Sequence, residues 1–141
     1  MRATVRPATF DEAGTFKTAP GAAIFDLYRL RYLDGLVVVA EHNRVPLQLC
    51  PRLAEVDFAT ASLYATLREN TPAQLPRRAD YAVEARPPSP EEAALLEIEG
   101  PVPLLVARQL SYNQEGRPME LTVAAYRGDR YHFTASITNR D

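Results

Sequence analysis

The chain has 141 residues, is 46% hydrophobic and balances 16 basic against 18 acidic residues for a formal charge of -2. That size and apolar content suit one domain over residues 1–141 with a core of its own, and the interspersed charges exclude the basic stripe that a nucleic-acid backbone needs. A single cysteine, Cys50, excludes an internal disulfide, and His42 and His132 do not complete a convincing zinc set with it.

No cofactor is expected. The chain has no apolar run of membrane-spanning length and no hydrophobic leader at its start, so no membrane partner is expected and a cytoplasmic setting fits.

Residues 2–8 alternate loosely and read as a strand. Thr9, three residues before Glu12, forms a capping-box pattern that opens a short helix holding Ala13 and Phe16 and ending before Pro20-Gly21. Phe25 to Pro46 then reads as two long strands joined at Asp34-Gly35. Alternation puts Phe25, Leu27, Arg29 and Arg31 on one face, so two guanidinium groups share it with large apolar side chains. A bound carboxylate or phosphate accounts for that placement, because Arg offers a planar fork of donors; solvated residues on an open sheet face account for it equally.

Register decides the company of Glu41. A two-residue turn at Asp34-Gly35 pairs Leu33 with Leu36 and sets Glu41 opposite Tyr28. A three-residue loop through Leu36 sets Glu41 opposite Arg29 and Val39 opposite Arg31, which pairs more charge, and is preferred.

Beyond the hairpin, an irregular turn leads to a helix from about Thr60 to Glu69, with Leu63 and Leu67 buried and Ser62 in the first turn. Ser62 and Tyr64 either add a hydroxyl and a phenol to an anion site or simply cap and pack the helix. Cys50, between Leu49 and Pro51, reads as a small buried hydrophobe, and the two histidines as structural or exposed. Residues 71–80 read as a loop.

From Tyr81 the pattern recurs weakly at an offset of 80: strand, capping box at Ser89 and Glu92, helix, hairpin. Gln109 and Ser111 stand where Arg29 and Arg31 would be. Met119, Leu121, Val123 and Ala125 form an apolar face, with Glu120 and Tyr126 projecting together from the other. A turn at Gly128-Asp129, a strand through Tyr131, Phe133 and Ala135, and a polar tail from about Thr138 complete the chain. The whole predicts an α+β fold, a mainly antiparallel sheet with helices packed on one face.

R-L-R at Arg29–Arg31, D-G at Asp34-Gly35, Glu41, V-P at Val45-Pro46, C-P at Cys50-Pro51, S-L-Y at Ser62–Tyr64, G-R-P-M-E at Gly116–Glu120 and Y-R-G-D-R-Y-H-F at Tyr126–Phe133 together resemble the UTRA domain. This is the effector-binding half of HutC-type bacterial transcription regulators in the GntR superfamily. The resemblance implies a chorismate-lyase-like fold, a pocket without enzymatic activity for a small and often anionic effector, and a homodimer that meets DNA only through a winged helix-turn-helix domain.

By that comparison Arg29, Arg31, Ser62 and Tyr64 hold the anionic group, and Glu41, Glu120 and Tyr126 contact the rest of the ligand. No winged-helix pattern is recognised in these residues, and by the same comparison they are expected to start at what is usually the second structural unit of the domain. Arg44 stands where an aromatic is common, so the pocket is expected to differ in ligand size or charge. The leading expectation is therefore an effector-sensing domain whose ligand shifts a dimer. The alternatives are a small lyase using Glu120 as acid or base, and a dimerisation module with a vestigial pocket.

Overall fold

The computed structural model describes residues 1–139. Its centre is the hairpin of β2 (Ala23–Leu33) and β3 (Leu36–Pro46). Asp34 and Gly35 both take positive φ, 51° and 79°, the twist that lets a two-residue turn join right-twisted strands. Leu33 accordingly pairs with Leu36, yet Glu41 lies opposite Arg29 and Val39 opposite Arg31. Both expected registers are thus partly realised. The turn is the short one, and a bulge between Arg31 and Tyr32 takes up the extra residue, Val38.

Four further strands complete one antiparallel sheet: β1 (Arg2–Pro7), β4 (Arg78–Arg86), β5 (Leu104–Tyr112) and β6 (Pro118–Arg127). The spatial order is β1-β2-β3-β6-β5-β4, with the β3–β6 pair at the centre. β4 starts at Arg78, inside the expected loop. The strand expected through Tyr131, Phe133 and Ala135 does not form; residues 131–139 carry no regular structure. Part of the expected polar tail, residues 140–141, lies outside the described residues.

The three helices are α1 (Phe10–Phe16), α2 (Leu63–Glu69) and α3 (Pro90–Leu95), with 3-10 turns at Leu47–Leu49 and Pro51–Glu55. Capping boxes open α1 and α3: the Thr9 and Ser89 hydroxyls accept from the Glu12 and Glu92 amides, and each glutamate accepts in return from the cap amide. Arg6 grips Glu12 through two bonds of 2.7 Å, and Arg86 grips Glu92 at 2.7 and 2.8 Å. These features recur 80 residues apart, as do bulges after Arg31 and Ser111. They do not establish a residue-level repeat, since the charges Arg29 and Arg31 have no counterpart.

Helices cover both faces of the sheet, not one. On the first, Phe16 packs with Ile24, Leu110 and Leu121, while Leu96 and Ile98 pack with Val37, Leu104, Val106 and Ala125. On the second, Leu63 and Leu67 from α2 join Phe25, Leu27, Val45, Leu53, Phe58 and the buried Cys50. Each fully buried large side chain contributes about 1.5–3 kcal/mol, so α2 is anchored as firmly as α1. The bulge at Ser111 leaves Met119 unpaired in the β5–β6 ladder and turns it into the α2-side core. The single apolar face expected for Met119, Leu121, Val123 and Ala125 is therefore divided.

Candidate functional site

α2 and the 3-10 turns cover only part of the second face. Between them and the open end of the β2–β3 hairpin lies a cavity of about 600 Å³, lined by Arg29, Arg31, Glu41, Asn43, Phe58, Thr60, Ser62 and Tyr64 among others. The strand period of two brings the charges together: Arg29 and Arg31 alternate along β2, and Glu41 faces Arg29 across the ladder. Arg29 is 9% exposed. Its one ionic contact, to Glu41, is long at 3.4 Å, and its Nε has no partner. Arg31 reaches the same carboxylate at 3.8 Å. Burial lowers the Arg29 pKa, and Arg31 beside it lowers it further against the pull of Glu41. Two guanidinium groups against one carboxylate leave this cluster an excess of one positive charge.

Ser62 is the N-cap of α2 rather than a first-turn residue; its Oγ accepts from the Ala65 amide at 3.2 Å, which leaves its hydroxyl proton for another acceptor. Tyr64 forms a wall of the cavity, and its phenol donates to Glu120 behind it. Glu120 shares the α2-side face of β6 with Tyr126 as expected, but at 0% exposed it is enclosed in the core. Burial raises its pKa, opposed by bonds from the Thr122 hydroxyl and Tyr64. Asn43 donates to Thr122 at 3.1 Å, so a hydrogen-bonded chain runs from Asn43 through Thr122 and Glu120 to Tyr64.

Asn43 was missing from the sequence candidates. It is 2% exposed, lines the cavity and has an unpartnered Oδ1. Its position two residues after Glu41 was the available signal. Tyr126 lies outside this set: it pairs with Val39 on β3, its ring stacks on Tyr131 at 3.9 Å, and burial pushes its phenol up to about 12. Arg44 does not shape the pocket. It faces the opposite side and binds Glu12 at 3.1 Å, in a cluster where Asp26 holds Arg6 and His42, each at 2.9 Å.

The UTRA domain model matches residues 1–132. The chain belongs to the UTRA domain family. This UTRA domain is 36% identical over 129 residues to the HTH-type transcriptional repressor PhnF of Mycolicibacterium smegmatis, covering 90% of this chain and 52% of that one. It is 33% identical over 113 residues to the HTH-type transcriptional regulator GgaR of Escherichia coli K12, covering 80% and 44%. The chain thus spans about half the length of these relatives.

The crystal structure of the effector domain of PhnF from Mycobacterium smegmatis superposes with a TM-score of 0.91 at 30% identity, over 99% of this chain and 85% of that one. The α+β, chorismate-lyase-like class follows, and the UTRA domain here is an effector-binding domain of the kind found in GntR-family regulators.

Proposed function

We propose that this domain binds a small anionic metabolite in the cavity over β2–β3, and that binding is coupled, through the arrangement of two copies, to DNA binding by another part of a HutC-type cytoplasmic regulator. The observation that carries the reading is Arg29. A guanidinium this buried, with a free Nε and one long ionic contact, is poorly satisfied by the protein alone, and an anion completes its hydrogen bonding.

In this reading Arg29 and Arg31 hold the anionic group, Ser62 donates its hydroxyl proton, and Glu41 and the Asn43 carbonyl accept from hydroxyl, amide or ammonium groups on the ligand. Glu120 positions Tyr64 from behind, and Tyr126 meets only a ligand that extends past Val39. A carboxyl sealed behind a tyrosine is badly placed for acid–base work on a substrate, which favours sensing over a lyase activity.

The test is a thermal-shift screen of phosphorylated sugars, amino acids and organic acids on the wild type and on Arg29→Ala/Arg31→Ala. A ligand at about 100 times its Kd adds about 2.7 kcal/mol. Stabilisation of the wild type alone supports the reading. Equal stabilisation of both proteins overturns the site, and product formation with an aromatic or enol-ether acid restores the lyase alternative.

A further inference from the structure

Tyr64 is a wall of two cavities, not one. On its far side lies a space of about 250 Å³, lined by Tyr64, Pro76, Arg77, Ala79, Gln109 and Ser111 among others. Gln109 and Ser111 alternate along β5 as Arg29 and Arg31 do along β2, and a bulge follows each pair. Gln109 sits opposite Thr122 in the ladder and Thr122 opposite Asn43, so one strip of polar side chains runs from the first cavity to the second.

The loop before β4, which forms the rim, is stitched to the β5–β6 turn by side-chain amides. Asn113 donates to Gln74 at 2.9 Å, both buried, while Gln114 accepts from the Leu75 amide at 3.0 Å and donates to the Ala73 carbonyl at 2.8 Å. The Arg77 amide adds a bond of 2.8 Å to the Tyr112 carbonyl. Backbone carrying Arg77 is thus fixed, which lowers the ordering cost of binding there. The Arg77 side chain is committed to little: it makes no ion pair among the described residues, and its one hydrogen bond, to the Gln114 carbonyl, is 3.5 Å long. Asp80, the nearest acid in sequence, is held by Arg78 at 3.0 Å. Gln109 gives one amide proton to the Oγ of Ser111, which is 0% exposed, at 3.3 Å, and has a second to offer. No carboxylate lines the cavity.

We propose that this cavity is a second anion site, which takes a carboxylate on the Arg77 guanidinium with the remaining Gln109 amide proton as a further donor. A planar carboxylate matches the fork of a single arginine. One guanidinium without a counter-charge suits a monoanion, whereas the first cavity sets two against Glu41. The carboxylate belongs either to the far end of the effector or to a separate organic acid. The inference rests on β5 and the loop before β4, and not on Arg29.

Acetate titration of the purified domain at constant ionic strength tests it, read from the Arg77 Nε–H and Gln109 side-chain amide signals in proton–nitrogen NMR spectra. Both are expected to move along one saturating curve. Arg77→Met should weaken the curve read at Gln109 by about tenfold or more, and Gln109→Glu, which sets a like charge against the ligand, should abolish the movement at Arg77. Flat signals in the wild type, an unchanged curve in Arg77→Met, or binding that survives Gln109→Glu overturns the proposal. Unchanged backbone spectra in each variant separate these outcomes from misfolding. Linear dicarboxylates from succinate to sebacate then distinguish the two sources, and either result sustains the second site. An affinity that peaks at one chain length and falls with both Arg77→Met and Arg29→Met identifies the far end of an effector; an affinity indifferent to length and to Arg29→Met identifies a separate acid. Arg29 takes no part in the acetate readout, so failure of the first-cavity reading would leave the Arg77 result standing.

Discussion

Replacing Arg29 with methionine is predicted to stabilise the ligand-free domain while destroying its binding. The buried guanidinium has an unpartnered Nε and a single 3.4 Å contact to Glu41. A buried polar group without a partner costs about 1–3 kcal/mol, and a hydrophobe of similar length in place of a poorly paired buried charge is often neutral or stabilising by roughly 1–4 kcal/mol. Methionine keeps the aliphatic stem against its neighbours, and Glu41 keeps Arg31 at 3.8 Å as well as access to water.

The expected gain is about 1–2 kcal/mol, a rise of roughly 3–8 °C in Tm by calorimetry without ligand. The same change removes charge-assisted bonds to the anion and should weaken binding by about 30-fold or more. A drop in Tm would refute the reasoning, because it would mean that Arg29 is satisfied within the free protein and is a structural residue.

Glu12→Ala should cost about 3 kcal/mol in denaturant melts, since it leaves Arg6 and Arg44 facing a buried gap, whereas Glu92→Ala at the more open α3 cap should cost about 1 kcal/mol. The Arg6 guanidinium holds the Glu12 carboxyl well below its ordinary 4.5, and Arg86 brings Glu92 down to about 2. Their stabilisation is present above pH 4.5 and is lost as pH falls toward 2, so both variants should flatten the acid limb of a stability–pH curve.

Glu120 has the opposite sign. Its raised pKa means that its contribution is complete below the unfolded value and is lost as pH rises through the folded one. Glu120→Gln should therefore lose less stability than the wild type in thermal melts as pH rises above the ordinary carboxyl value of 4.5. Gly128→Ala should cost about 1–3 kcal/mol, because a Cβ there meets the Pro103 carbonyl oxygen at 2.7 Å, while Gly14→Ala in α1 meets nothing and should gain about 0.5–1 kcal/mol.

The fold was most legible where one local signal sufficed. The capping residues Thr9 and Ser89 marked α1 and α3, and strand alternation grouped Arg29 and Arg31. Bulges defeated it, because a single extra residue reverses every later side chain. The skipped Val38 reconciled a short turn with the Arg29–Glu41 pairing, and the skipped Met119 split an apparently uniform apolar face.

Glu120 was placed on the face away from the core because alternation tells which residues share a face but not whether another element covers it; α2 does. The strand expected at 131–135 had the alternation of a strand but no pairing strand among the described residues, and alternation cannot supply one.

Neighbouring residues of β2 and β3 serve different employers. Arg29, Glu41 and Asn43 face the cavity, while on the reverse of the same two strands Asp26 binds Arg6 and His42, and Arg44 binds Glu12. Selection on what the pocket recognises can therefore act at every second position without loosening the ionic clasp that ties β1 and α1 to the sheet. A hairpin divided in this way lets one scaffold diversify its chemical vocabulary while its joinery is inherited unchanged.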